Sequence, residues 1–204
     1  MKNKIIIGID QSYQDTGVTV AINGVVKMSR DIELHSLKDN STRRLVLRRE
    51  LNKIINKLNY EIAPYCDASI TVLIERIRLQ SQGFVNIDYI KSIGALNALI
   101  VDIAHSYNLQ CFSVDTRAWK STIIGTSKTQ SNSYGIDPHK WPTILWCIKH
   151  GYKKYIKYPI ENNKKKKGVI EKNGERYSYN DNIADSIGIC LYGFTNNPKL
   201  KEEH

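Results

Sequence analysis

The chain has 204 residues, 41% of them hydrophobic and 12 of them glycine, the make-up of an ordinary globular domain. This excludes a disordered chain, a collagen-like repeat and a disulfide-stapled miniprotein, and the length suits one compact domain over residues 1–204. Thirty Lys+Arg against twenty Asp+Glu leave a net charge of +10, which favours a polyanionic partner.

The opening run Ile5-Ile6-Ile7-Gly8-Ile9 is almost wholly apolar and ends at Asp10, the pattern of a buried strand. It is too short for a signal peptide. No stretch approaches the roughly 20 apolar residues of a membrane span, so a soluble, cytoplasmic protein is expected. After a turn at 11–16, Gly17-Val18-Thr19-Val20-Ala21-Ile22 reads as a second strand. Asn23-Gly24 is a strong hairpin signal, since both residues tolerate positive φ, and a third strand starts at Val25-Val26. The start of the chain is therefore a three-stranded meander with Asp10 on its most apolar strand.

Residues 41–58 space Leu47, Leu51, Ile54, Ile55 and Leu58 three or four apart, an amphipathic helix. Thr71-Val72-Leu73-Ile74 is another buried strand, ended by Glu75. Residues 84–106 read as a long apolar helix, and its Gly94, Ala95 and Ala98 form a small-residue stripe suited to a close-packed helix or to its own sheet. A strand at 111–114 and helices near 139–150 and 182–194 complete a mixed α/β order. Cys66, Cys111, Cys147 and Cys190 are scattered, with no C-x-x-C pair, and read as reduced thiols instead of a metal site.

Residues 140–176 differ in composition. Eleven Lys/Arg against three Glu place about eight of the ten net charges there, including the run Lys164, Lys165, Lys166, Lys167. Tyr152, Tyr155 and Tyr158 interleave with Lys153, Lys154 and Lys157. The segment reads either as a solvated loop or as an arm that grips phosphates and offers rings for stacking.

A carboxylate ending a buried apolar strand is costly unless paired or metal-bound. Asp10 and Glu75 both stand there, and a third acidic group opens the last helix in Asn180-Asp181-Asn182-Ile183-Ala184-Asp185-Ser186. Asp181 and Asp185, four apart, share a helix face. Oxygen donors of this kind suit Mg²⁺ or Mn²⁺, and two such ions about 3.5–4 Å apart stabilise an in-line phosphoryl displacement. The same residues have plainer uses: Asp10 as the start of a turn, Glu75 as a partner of Arg76 or Arg78, Asp181 as a helix N-cap.

Gly8-Ile9-Asp10-Gln11-Ser12 with Thr16-Gly17, then Ile74-Glu75, Asp115-Thr116-Arg117-Ala118-Trp119-Lys120 and Asp181-Asn182-Ile183-Ala184-Asp185-Ser186 together resemble the RuvC family of Holliday junction resolvases, its phage-encoded branch most. The likeness runs from about residue 5 to 193. It implies a ribonuclease H-like fold, a mixed sheet of antiparallel meander plus parallel strands flanked by helices. It further implies a homodimer that nicks opposed strands of a four-way DNA junction, with Asp10, Glu75 and Asp185 as ligands of two Mg²⁺ (or Mn²⁺) ions and no organic cofactor. The family's fourth ligand falls on Asn182, a departure, and Asp181 beside it is taken as the substitute. By the same likeness Lys120 and Lys128 stand near the scissile phosphate and Phe84 stacks on a base. From their charge and position, Arg76 and Arg78 would hold the DNA backbone or neutralise the carboxylates, and Lys164 to Lys167 would grip DNA as part of the basic arm. The small-residue helix 84–106 would supply the dimer face, and a phage protein would work in the host bacterial cytoplasm. Other readings remain open at this point. They are a broader flap or branched-DNA nuclease, a non-catalytic DNA-binding protein of the same fold, and an actin-like ATPase, whose second phosphate loop is not visible.

Overall fold

The computed structural model describes residues 3–61, 68–77, 87–126, 128–161, 168–196 and 198–203. Its main sheet has six strands: β1 (Asn3–Asp10), β2 (Asp15–Ile22), β3 (Val25–Glu33), β4 (Ala68–Glu75), β5 (Gln110–Val114) and β9 (Leu200–Glu202), in the order β3-β2-β1-β4-β5-β9. The first three form the antiparallel meander, turned by Asn23 and Gly24 at φ 50° and 80°. β4 and β5 add in parallel to β1, each after a crossover helix: α1 (Asn40–Glu61) and α2 (Ile87–Ser106). This mixed, helix-flanked sheet is the expected ribonuclease H-like arrangement.

Strand alternation sorts the core into two layers. Ile5, Ile7, Ile9, Val72 and Ile74 face α1 and α2, which bury Leu47, Leu51, Ile54, Ile55, Leu58, Leu96 and Ile100 against them. Ile6 and Leu73 face the other way, toward Trp119 and the closing helix α6 (Asp181–Tyr192). Gly8 and Gly17 lie under α6 because nothing larger fits: a Cβ at Gly8 would stand 2.5 Å from Cys190 Cβ, and one at Gly17 would stand 2.1 Å from the Asn182 carbonyl oxygen. The small-residue stripe of α2 is used differently, since a Cβ on Gly94 would meet nothing within 4 Å and Ala98 is exposed.

The basic segment is not a loop over its described residues. Helices α4 (Trp141–Lys149) and α5 (Lys153–Ile156) lead into a second, antiparallel sheet β6-β8-β7, made of β6 (Lys157–Pro159), β7 (Ile170–Lys172) and β8 (Glu175–Tyr179). Its hairpin turns on Asn173 and Gly174 at φ 52° and 76°, the same dipeptide as the first hairpin. Two of the three tyrosines expected to offer stacking rings are engaged in packing: Tyr152 stacks on Trp146 at 5.8 Å, and Tyr155 packs on the α6-side core while donating to the Val26 carbonyl at 3.3 Å. Cys111, Cys147 and Cys190 are buried free thiols, and burial pushes Cys111 and Cys190 up to about 12. Phe84, Arg78, Cys66 and Lys164 to Lys167 lie outside the described residues. Among the described residues no helix is long and apolar enough to cross a membrane.

Candidate metal centre

The alternation that buries Ile9 and Ile74 on one face sends Asp10 and Glu75 to the other. β1 and β4 are parallel and in register up to Ile9 opposite Ile74, so the two carboxylates follow at the same end of neighbouring strands. Helix α6 crosses this end. Its N-cap is Asn180, whose Oδ1 accepts from the Ile183 amide at 2.9 Å, so Asp181 is not the cap but stands in the first turn, with Asp185 one turn on.

Each carboxylate has its own neighbour. Glu75 is framed by two side chains: the Trp119 indole donates to its Oε1 at 3.1 Å, and the Gln11 amide brackets its backbone, accepting from the Glu75 N–H at 3.1 Å and donating to its carbonyl. Trp119 is fully buried at the end of the short helix α3 (Thr116–Trp119), which Asp115 caps by accepting from the Arg117 and Ala118 amides. It packs where Gly188 leaves room, since a Cβ there would come within 2.3 Å of its ring. A π-helical turn, Lys120–Ile124, follows and sends Lys120 Nζ to 3.5 Å from Asp185 Oδ2, with only 16% and 15% of the two side chains exposed. Lys140, just before α4, donates to Asp181.

The charges interact strongly. Burial, then the charges of Glu75, Asp185 and Asp181, hold the Asp10 carboxyl well above the usual carboxylate range, with Lys120 opposing. Burial pushes Asp185 up to about 6 against the pull of Lys120, and Glu75 and Asp181 add to the rise. Lys140 is drawn down by burial but held above its ordinary value by Asp181, Asp185 and Asp10. Four carboxylates and two ammonium groups thus form one electrostatic unit with an excess of negative charge. Asp185 Oδ1 and Thr143 Oγ1 on α4 are both buried with no close hydrogen bond among the described residues, and the Thr143 hydroxyl is near enough to lower the Asp185 carboxyl. Buried carboxylate oxygen and surplus anionic charge fit a hard divalent cation in donor type. The side chains do not converge on a common point: among the described residues no three His, Cys, Asp or Glu are gathered tightly enough to hold an ion. Asp181 and Asp185 instead point at lysines, and Glu75 at an indole.

Other expected residues are more dispersed. Arg76 follows Glu75 but faces away from it, with Nε 3.5 Å from Ser113 Oγ, so the expected Glu75–Arg76 pair is not formed. Lys128 is exposed after the Gly125 turn, its amide on the Thr126 hydroxyl. Asp31 is a residue that sequence reasoning missed. It stands opposite Gly17, which stands opposite Asp10, so one lateral row runs Asp10, Gly17, Asp31 beneath the start of α6. Asn180 Nδ2 donates to Asp31 Oδ2 at 2.6 Å, and burial pushes Asp31 up to about 6. No apolar run flanks Asp31, and only the hairpin register from Asn23-Gly24 could have located it.

No protein-family model matches the sequence, and no curated protein does. Solved structures do match in fold. A structure described as T. thermophilus RuvC in complex with Holliday junction substrate aligns with TM-score 0.54 and 10% identity over 94% of this chain and 93% of that one. A Thermus thermophilus RuvC structure aligns with TM-score 0.55 and 12% identity over 93% of each chain. The chain therefore has the ribonuclease H-like fold of RuvC.

Proposed function

We propose that the protein is a metal-dependent endonuclease of branched DNA that resolves four-way junctions, working as a homodimer of the phage type and built as one nuclease domain with a basic appendage. The observation that carries this is the placing of Asp10, Glu75, Asp181 and Asp185 at one end of the central parallel strands, within electrostatic reach of one another and of Lys120 though not converged on one point, on the fold of a protein solved with a Holliday junction. Asp10, Glu75, Asp185 and Asp181 are the residues that would hold Mg²⁺ or Mn²⁺. Such ions, when bound, supply an activated water and charge stabilisation for the departing oxygen.

The chain's own groups prepare that site. Gln11 and Trp119 fix the backbone and one oxygen of Glu75. Lys120 keeps Asp185 more ionised than its burial alone allows. Lys120 and Lys140 also place positive charge beside the carboxylates, where a phosphodiester must approach an acidic surface. Lys128, Arg76, Arg78, Phe84 and Lys164 to Lys167 are assigned to the DNA, whose shape and phosphates, not its sequence, select the branch. The uncovered stripe at Gly94 and Ala98 supports α2 as the face between two copies.

The test is cleavage of an end-labelled four-way junction beside a linear duplex and a 5′ flap, with Mg²⁺, with Mn²⁺ and with chelator. Paired symmetric nicks on the junction, lost in Asp10→Asn and Glu75→Gln while binding persists, are the expected result. Equal cutting of flaps would broaden the substrate. One observation favours a second reading: Asn182 replaces a carboxylate, and lysines already answer Asp181 and Asp185. Tight binding with no cutting in either metal would make this a DNA-holding protein of the same fold.

A further inference from the structure

Helix α6 carries two of the four carboxylates, Asp181 and Asp185, and its seating on the sheet decides where they stand. Its Ile183, Ala184, Ile187 and Ile189 are buried in the core. Apolar contact is non-directional, however, and does not by itself fix how far a helix is turned. Two polar rows across the meander do. In the first, Gly8, Thr19 and Ser29 are register neighbours, and the Thr19 hydroxyl is hydrogen-bonded to Ser29 Oγ at 2.6 Å and to Ser186 Oγ at 2.7 Å. Thr19 and Ser186 are fully buried, and Ser186 directly follows Asp185. In the second, at the strand ends, Asp10, Gly17 and Asp31 are neighbours, and Asp31 Oδ2 accepts from Asn180 Nδ2 at 2.6 Å. Asn180 directly precedes Asp181.

Asn180 is bonded through its backbone and its side chain. Its amide donates to the Ile156 carbonyl at 2.8 Å, and its carbonyl accepts from the Ala184 amide at 3.2 Å. Its Oδ1 accepts from the Ile183 amide at 2.9 Å while Nδ2 donates to Asp31. The bond to Asp31 orients the cap, because a carboxamide whose nitrogen is drawn to a carboxylate must turn its oxygen the other way, here to the helix. Asp31 Oδ1 is buried with no hydrogen bond among the described residues, so there Asn180 is what holds the Asp31 carboxylate. A bond to an ionised acceptor is also roughly twice as strong as a neutral one. The turn from Asp181 to Asp185 is thus tethered at both ends, by Asn180 to β3 and by Ser186 to β2.

We propose that Asp31 is a positioning residue of the metal centre: through Asn180 it sets the turn of α6 on which Asp181 and Asp185 stand, and so the readiness of these carboxylates to take up a divalent cation. Asp31 acts through Asn180 and is not counted among the ligands. The inference rests on the metal-dependent cleavage reading and deepens it with a residue of β3, a strand that supplies none of the four carboxylates.

The test uses the full chain at a temperature where circular dichroism shows each variant folded. Mn²⁺ binding is followed by loss of the free-ion electron paramagnetic resonance signal, beside cleavage of a four-way junction as Mg²⁺ is varied. Asp31→Leu removes the acceptor. It should weaken Mn²⁺ binding and raise the Mg²⁺ needed for half-maximal cleavage about tenfold each, as loss of a group that orients metal ligands predicts. Junction affinity in chelator should not change. Asp31→Asn keeps a neutral acceptor for Asn180 and should stay within about threefold of wild type. Asn180→Ser keeps a helix cap but is too short to reach Asp31, so it should match Asp31→Leu, and the double variant should be no worse than either alone. If Asp31→Leu does not fold, Asn180→Ser decides. A lower unfolding midpoint with Mn²⁺ binding and Mg²⁺ requirement unmoved would make the contact merely structural and overturn the inference, with the nuclease reading intact as long as the wild type cuts. Additive losses in the double variant would overturn it too, as would an Asp31→Asn loss equal to that of Asp31→Leu, which would trace the effect to charge. A wild type that neither binds Mn²⁺ nor cuts would overturn both.

Discussion

Asp185 sits where its ionised form is penalised, so removing its charge should stabilise the protein. Its carboxyl is held at about 6 against an ordinary 3.8, with 15% of the side chain exposed. Two pKa units correspond to about 3 kcal/mol at a pH above both values. Between pH 3.8 and 6 the folded protein binds more protons at this site than the unfolded chain does, so stability falls as pH rises through that window and is flat beyond it. Asp185→Asn removes the penalty but also takes the partner from Lys120, whose side chain is 16% exposed. That loss returns part of the gain, leaving a net stabilisation of about 1–2 kcal/mol at pH 7.5 and none at pH 5, or about 2–8 °C in Tm for a chain of this size. The assay is thermal unfolding followed by circular dichroism in chelator, for wild type and Asp185→Asn at pH 5.0 and 7.5. A variant less stable than wild type at pH 7.5, or a wild type that gains stability from pH 5 to 7.5 while the variant does not, would refute the reasoning. The same scan with Mg²⁺ should raise the wild-type midpoint and leave that of the variant nearly unmoved, since an ion that binds only the folded chain stabilises it by mass action.

Gly17→Ala should cost about 1–3 kcal/mol, because its methyl group would stand 2.1 Å from the Asn182 carbonyl oxygen and lift the start of α6. Cleavage should fall further than stability does, as read by comparing activity with the urea midpoint at a temperature where both proteins are folded. Trp119→Phe removes the donor to Glu75, a bond to a charged group worth about 1.5–3 kcal/mol, and with it the outer indole ring that packs on Gly188. Its expected signature is a raised Mg²⁺ requirement for cleavage with junction affinity unchanged. Replacing Lys164 to Lys167 with alanine should weaken binding and make its salt slope shallower by up to about 0.9 for each phosphate these lysines neutralise, and an unchanged slope would return the run to a solvated role.

The sequence was most legible where a strong pattern met a simple physical rule. Ile5 to Ile9 and Thr71 to Ile74 could only be buried strands, and a carboxylate at the end of each already marked one pole of the sheet. The small sheet was hidden by its charge, since Lys157, Lys172 and Arg176 masked the apolar alternation of Ile170, Tyr177 and Tyr179. Yet Asn173-Gly174 carries the same hairpin chemistry as Asn23-Gly24 and was there to be read. Trp119 and Gln11 lie within the motifs that drew attention to the site, but their bonds to Glu75 depend on how β4, α3 and the turn after β1 converge, which no local pattern encodes. Asp31 was the least legible, because its place beside Asn180 follows only from a register that passes through a β-bulge at Val20/Ala21.

The arrangement of the lysines bears on how such a site tolerates its own charge. Asp10 and Asp185 are each buried and each stands among like charges, so a fold that gathered four carboxylates with nothing to answer them would resist closing at neutral pH. Lys120 and Lys140 answer them from outside the strands, one on the π-helical turn and one just ahead of α4. Both attach through four flexible methylenes, so each can swing off its carboxylate without moving the backbone, which a helix dipole or a fixed guanidinium pair cannot do as readily. On the proposed reading, a lysine displaced from Asp181 or Asp185 by a cation would be left beside the site as a positive charge available to a phosphate. If Asp181 and Asp185 hold a cation as proposed, Lys120 and Lys140 would be the groups released to meet DNA.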